Sequence, residues 1–388
     1  MHNDGLTVLS LFDGMSCGAI ALREEGIRVR RYFASEIDRQ AIMQTRHNFP
    51  DTIHLGSVTG VKASDLPPID LLIGGSPCQG FSFAGKQLNF NDPRSALFFE
   101  YVRILREIQS YNPDVKFLLE NVRMRGEYEN VISERLGLYP VMINSALVSA
   151  QNRVRLYWTN IRTKSVPNLF NTDIYTGLPQ PSDRGIHFRD IADFGADRRF
   201  YLTEAEIDRL VRQREYDTDN KIRDSDCQFM DMDFECEMYE YGSLPNGECL
   251  NTDNIVCKEP VHLPFDVPRV PMSAIQKNQA LPVKPTDNRT LIIPGAIVSP
   301  QFGGGFRPIM NGKAPCLLAT SSNQAACLIV NGGDMFLRRL TPAECSRLQT
   351  VPEWYEWVCS ERQSYRMLGN GWTVEVIRHI LQFLKTDY

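Results

Sequence analysis

Short apolar runs alternate with amphipathic stretches along the first third of the chain. Leu6–Phe12 is a mostly apolar run that stops at Asp13-Gly14, the pattern of a buried strand entering a tight turn. Residues 17–25 carry helix formers and meet Gly26, which predicts a helix and its stop. Arg28–Ser35 reads as a strand, Asp38–Asn48 as a helix ending near Pro50, and Asp70–Gly75 as a buried strand running into glycine. Between Arg94 and Ser110 the residues Leu97, Phe98, Tyr101, Ile104, Leu105 and Ile108 recur at helical spacing. Lys116–Leu119 is a further buried strand, ending at Glu120-Asn121. Strands and helices in alternation predict a parallel α/β sheet, and ligands of such sheets collect at the carboxyl ends of the strands.

From about Thr163 the pattern changes. Proline becomes frequent, helical periodicity fades apart from Thr203–Arg214, and residues 216–240 are strongly acidic. Residues 186–361 are expected to form a second, loop-rich domain with short strands, set between a first unit at 1–185 and a closing helix within 362–388. In that helix Val374, Ile377, Ile380, Leu381 and Leu384 share one face.

Composition narrows the classes. With 43% hydrophobic and 23% charged residues, the 388-residue chain has ample material for a core, which excludes wholesale disorder. A net charge of −5 argues against a basic nucleic-acid coat protein, but a DNA enzyme needs only a local basic surface. No apolar run approaches the ~20 residues of a membrane span, and Leu6–Leu11 is too short for a signal peptide. A cytoplasmic protein with reduced thiols and no membrane partner is expected. Ten cysteines are scattered along the chain; Cys227, Cys236, Cys249 and Cys257 lack the paired spacing of zinc knuckles, so no metal is expected.

The candidate chemistry lies just after the strands. Phe12–Gly18 contains a glycine turn that would let backbone approach a cofactor, or is simply a tight turn. In Ser35-Glu36-Ile37-Asp38 the acidic Glu36 can hold two ribose hydroxyls, although a helix N-cap with an acidic first turn reads equally well. Residues 74–82 put the Cys78 thiol in a Gly/Pro loop at the mouth of the sheet, which favours a nucleophile over a buried small hydrophobe. Glu120 ends a buried strand beside apolar walls, as a proton donor or as a solvated turn residue. If Gln151–Arg155 is a strand, Gln151, Arg153 and Arg155 share a face suited to an anion or a base edge, or they form a basic exposed edge.

Taken in order, these segments resemble the DNA (cytosine-5)-methyltransferases from first strand to last helix. The resemblance rests on Phe12–Gly18, Pro77-Cys78-Gln79, Glu120-Asn121-Val122 and Gln151-x-Arg153-x-Arg155. It also rests on Arg339–Glu344 with Arg347-Leu348-Gln349, and on Gly369-Asn370-Gly371. Leu97–Tyr101 and Trp372–Ile380 are similar to the animal de novo branch and to phage members, which implies a microbial or phage source.

The resemblance implies an S-adenosylmethionine-dependent, Rossmann-like α/β fold with a mostly parallel sheet and residues 186–361 as an inserted, loop-rich target-recognition domain. It implies double-stranded DNA as substrate, a restriction endonuclease partner or none, and a bacterial or phage-infected host cell. Cys78 would add to cytosine C6, Glu120, protonated, would hold N3 and the exocyclic amine and offset charge as the thiolate adds, Arg155 would hold O2, and Arg153 would support the site. Gln79, Ser82, Asn121 and Gln151 would meet the substrate, with 79–91 closing over the flipped base. The cofactor would lie against Phe12, Asp13, Gly14, Met15, Ser16, Glu36, Ile37, Ser57, Val58, Ser76, Pro77, Leu97, Asn370, Gly371 and Trp372. Residues 301–307 and Asn288-Arg289 would approach DNA, since the acidic stretch cannot. Two departures stand out. Ser16-Cys17 replaces a glycine pair of many bacterial members, and Ser57 stands where the family has an Asp that accepts from the adenine amine. The alternatives are the same fold acting on RNA, transfer of a different group from a modified cofactor, and a catalytically inactive binding protein; retention of Cys78, Glu120 and Arg155 argues against the last.

Overall fold

In a computed structural model, the described residues are 5–77, 96–167, 172–219, 255–257, 263, 266–275, 290–297, 306–309, 311–319, 325–331 and 334–387. Seven strands form the main sheet: β1 (Leu6–Leu11), β2 (Val29–Ser35), β3 (Ile53–His54), β4 (Leu71–Gly75), β5 (Lys116–Val122), β6 (Val141–Asn144) and β7 (Val154–Thr159). Their order is β3-β2-β1-β4-β5-β7-β6. The first five pair in parallel, whereas β7 runs antiparallel to both β5 and β6. This is the mostly parallel sheet that the resemblance implies, with one strand reversed. The antiparallel one follows from chain length, because the short link 145–153 is below the roughly dozen residues that a parallel crossover needs.

Strand alternation sorts the core into two faces. Val8, Ile73 and Leu118 face one side, with Ile20 and Leu22 of α1 (Cys17–Glu24). Leu9, Leu11, Leu72, Phe117 and Leu119 face the other side, against Phe98, Tyr101, Ile104 and Leu105 of α3 (Ala96–Gln109) and Ile132 of α4 (Gly126–Leu136). Between α1 and β3 lies α2 (Arg39–Asn48), whose Asp38 side chain accepts from the Gln40 N–H as an N-cap. β8 (Thr163–Pro167) and β9 (Thr172–Thr176) form a separate antiparallel pair.

Beyond a short helix α5 (Phe188–Ile191), the helix expected at 203–214 appears as α6 (Glu204–Asp219). It packs Ile207 and Leu210 on a four-stranded antiparallel sheet of β10 (Leu291–Ile297), β11 (Phe306–Pro308), β12 (Ala325–Asn331) and β13 (Asp334–Arg339), in the order β11-β10-β12-β13. The chain then returns to the main sheet through α7 (Pro342–Leu348), α8 (Glu361–Asn370) and α9 (Val374–Leu381). Trp354 Nε1 donates to Glu24 at 2.7 Å and the Tyr355 hydroxyl donates to the Met15 carbonyl at 2.9 Å. In α9 the predicted face is buried through Val374, Ile377, Ile380 and Leu381, and Leu384 is buried in the adjoining 3-10 turn. No described helix is long and apolar enough to cross a membrane.

Candidate active site

The carboxyl ends of β1, β2, β4, β5 and the start of β7 gather most of the candidate residues. After β1 the backbone turns through left-handed conformations at Phe12 (φ 58°), Gly14 (φ 57°) and Ser16 (φ 64°). Glu36, at the end of β2, knits this turn to its own. One carboxylate oxygen accepts from the Gly14 N–H at 2.8 Å, and the other accepts from the Ile37 and Asp38 N–H groups at 2.8 Å each. The neighbouring Ile37 side chain is 74% exposed, a large apolar surface held over a polar turn. Ser57 is exposed and caps a 3-10 turn over Val58–Gly60, its hydroxyl 2.8 Å from that of Thr59.

Asp13 is buried inside the same turn. It accepts from the Tyr32 hydroxyl at 2.8 Å and from the Ser16 hydroxyl. Burial outweighs these donors and pushes its carboxyl up to about 6. An unfolded Asp titrates near 4, so between about pH 4 and 6 the native state holds the extra proton. The resulting penalty is absent below that window and complete above it, about 3 kcal/mol at most. Relative to Asp13→Asn, which cannot ionise, the wild type should lose stability as the pH rises through this range. Urea unfolding at pH 4.5 and 7.5 checks this, and a stability difference that ignores pH would refute it.

At the other side of the sheet, Glu120 and Arg155 form an ion pair, Oε1 to Nε at 3.2 Å, across the β5–β7 ladder. The Trp372 indole N–H donates to the second Glu120 oxygen at 3.0 Å. Asn121 is buried, and its amide donates to the Ser76 hydroxyl at 3.1 Å, which fixes the turn leading out of β4. Cys78, Gln79 and Ser82 come soon after in sequence and lie outside the described residues, as do residues 301–305, Asn288-Arg289 and the cysteines at 227, 236 and 249.

The two arginines that the sequence treats alike have different surroundings. Arg153 donates to the carbonyls of Leu317 (3.0 Å), Gly369 (3.1 Å) and Gly371 (2.9 Å), and is a brace between β7, the 314–317 segment and the end of α8. Arg155 is the one beside Glu120. Both point a guanidinium nitrogen at Cys316 Sγ, at 3.2 and 3.5 Å. Gln151 precedes the strand, bridges Ala314 by backbone, and is fully buried. The contact between Arg153, Arg155 and Cys316 has no signal in the sequence, because Cys316 belongs to no motif and lies far along the chain. Asn370 is exposed at the end of α8, whereas Leu97 and Pro77 are half-buried and Ser76 is buried.

Among the described cysteines, burial pushes Cys17, Cys257 and Cys327 up to about 12 and raises Cys345 and Cys359. These remain thiols at neutral pH and are unsuited to nucleophilic attack. No group of three or more His, Cys, Asp or Glu side chains able to hold a metal occurs among the described residues.

Comparison with known proteins bears on the family and the fold. The family model described as C-5 cytosine-specific DNA methylase matches residues 6–386. The orphan methyltransferase M.SPRI of Bacillus phage SPR is 27% identical over 99% of this chain and 98% of its own length. The type II methyltransferase M1.ScrFI of Lactococcus lactis subsp. cremoris is 34% identical over 48% of this chain and 49% of its own. Among solved structures, the Dnmt2 methyltransferase of S. pombe shares the fold with a TM-score of 0.56 at 16% identity, covering 98% of both chains. The expected α/β methyltransferase fold is therefore present, and the chain belongs to the C-5 cytosine-specific DNA methylase family.

Proposed function

We propose that the chain methylates C5 of a cytosine flipped out of duplex DNA, through a transient bond between Cys78 Sγ and cytosine C6, with S-adenosylmethionine as methyl donor. The observation that carries this reading is the Glu120–Arg155 pair at the carboxyl edge of the sheet, with Asn121 next to Glu120 bonded to Ser76, two residues before Cys78 in the sequence. Cytosine C5 is a poor nucleophile. Sulfur addition at C6 pushes the C5=C6 electron pair toward C5. Glu120, carrying a proton, donates to N3 and accepts from the exocyclic amine, and Arg155 donates to O2, so the charge that develops on the ring as sulfur adds meets fixed donors. Once C5 is methylated, loss of its proton returns the electron pair to the ring and expels the Cys78 thiolate. Arg153 and Asn121 act from behind, by bracing β7 and the turn at Ser76.

The turn after β1 suits the donor. Glu36 accepts backbone N–H groups on both oxygens and retains acceptor capacity for ribose hydroxyls, and the exposed Ile37 offers an apolar face to a base. S-adenosylmethionine supplies a methyl group activated by its sulfonium. Phe12, Asp13, Gly14, Met15, Ser16, Ser57, Val58, Ser76, Pro77, Leu97, Asn370, Gly371 and the Trp372 backbone complete the pocket in this reading. Ser57 offers the adenine amine one hydroxyl in place of a carboxylate, so donor binding leans more heavily on Glu36.

Residues 186–361 are assigned to target recognition, and 1–185 with 362–388 to catalysis. Relatives that match over nearly the whole chain include an orphan phage enzyme and type II enzymes alike, so this reading admits a restriction partner or none. Such an enzyme would work in the cytoplasm of a bacterial or phage-infected cell. The test is incubation with methyl-labelled S-adenosylmethionine and either duplex DNA or tRNA, followed by bisulfite sequencing. Label on cytosine in DNA is expected; label on tRNA alone, or on neither, would overturn the reading.

A further inference from the structure

We infer that Trp372 is a positioning residue for Glu120, and that Gly75 is kept small to admit its indole. The inference rests on the assignment of Glu120 to the cytosine edge. A carboxylate at the end of a strand can turn about its last side-chain bond, and a base edge is recognised only if the two oxygens lie in the plane of the base. Arg155 fixes one oxygen, at 3.2 Å. The Trp372 indole N–H fixes the other, at 3.0 Å. Two donors on two different oxygens define the plane of the carboxyl group and leave one oxygen able to accept from the exocyclic amine and the other to carry the proton given to N3.

The indole is itself held firmly. Trp372 is buried, and its backbone N–H donates to the Cys17 thiol. The preceding Gly371 carbonyl accepts from Arg153 at 2.9 Å and from the Gln349 amide at 3.0 Å. A second observation points the same way from β4. A Cβ built on Gly75 would lie 2.9 Å from Trp372 Nε1, 3.0 Å from Glu120 Oε2 and 3.4 Å from Trp372 Cε2. Real Cβ atoms essentially never approach below 3.0 Å, so any larger residue would push the indole, the carboxylate, or both. The strand that leads to Cys78 thus leaves the space in which the segment closing the fold reaches the catalytic carboxylate. Packing alone would demand an apolar ring at 372; it would not demand an N–H aimed at Glu120.

Trp372→Phe keeps the ring and removes the donor. Single-turnover methyl transfer to duplex DNA should slow by about 10- to 100-fold, the range for losing a hydrogen bond to a charged group or misplacing a reacting group. The dissociation constants for S-adenosylhomocysteine and for DNA should be unchanged. Gly75→Ala, with Trp372 intact, should give the same division between rate and binding. In a Glu120→Gln background, Trp372→Phe should slow the residual reaction little or not at all, because the oxygen pair it orients is gone. Wild-type turnover in Trp372→Phe would overturn the inference. A loss expressed wholly as weaker S-adenosylhomocysteine binding would also overturn it, since Trp372 would then serve the cofactor. Failure of the wild-type protein to label DNA would instead sink the functional reading itself, so the two outcomes are separable.

Discussion

Cys78→Ser should bind duplex DNA and S-adenosylmethionine as the wild type does, yet transfer methyl groups on the order of 10⁴-fold more slowly or worse. An alkoxide is scarcely available at neutral pH, and a neutral hydroxyl adds to C6 far less readily than a thiolate. Every later event depends on that addition, because only the adduct makes C5 electron-rich. Glu120 and Arg155 would still hold the base, so binding survives while chemistry fails. The outcome is specific to position 78. The turn after β1 also carries a thiol, but Cys17 is buried and pushed up to about 12, and Cys17→Ser should be nearly silent in the chemical step. Tritium release from C5-labelled cytosine in DNA, read beside filter binding, checks both variants. Turnover near the wild-type rate in Cys78→Ser would refute covalent catalysis.

How far the sequence reveals the site depends on how local each contact is. The ends of β1, β2, β4 and β5 are legible because buried strands are short apolar runs, and the residues just beyond them must be polar if they lie at the mouth of the sheet. Glu36 stands out for that reason; Glu120 does too in the sequence, although β5 in fact continues two residues past it to Val122. The contact between Trp372 and Glu120 is not legible, because it joins residues 252 positions apart and depends on how the last helices close the fold. Period-two spacing marks Arg153 and Arg155 as equivalent, and only the surroundings separate a brace from the partner of Glu120. The antiparallel course of β7 is readable in principle from the short link before it. Ser57 illustrates the opposite limit. Its identity is plain in the sequence, but its work as the cap of a 3-10 turn comes from local backbone geometry.

The Arg338–Glu344 pair shows the same limit for stability. Arg338→Met should cost about 3–5 kcal/mol, as expected when one member of a buried ion pair is removed and its partner is left behind. Both side chains have no exposed surface. Two guanidinium nitrogens of Arg338 reach the two Glu344 oxygens at 2.8 and 2.7 Å, and its NH2 also donates to the Asp193 carbonyl at 3.0 Å. Glu344 accepts further bonds from the Asp193 N–H and the Thr341 N–H, at 2.8 Å each, the latter closing a capping box at the start of α7. This pair joins β13, the last strand of the second sheet, to the helix that leads back to the main sheet. A methionine would fill most of the arginine's volume but leave a buried carboxylate with two backbone donors and no counter-charge. Glu344→Gln leaves the guanidinium uncompensated in turn and should cost a similar amount. The double variant Arg338→Met/Glu344→Gln removes both charges together, so its loss should fall well short of the sum of the single losses. Chemical denaturation of the four proteins measures the coupling. Strictly additive losses would mean that the pair contributes through packing alone and that the charges are not coupled.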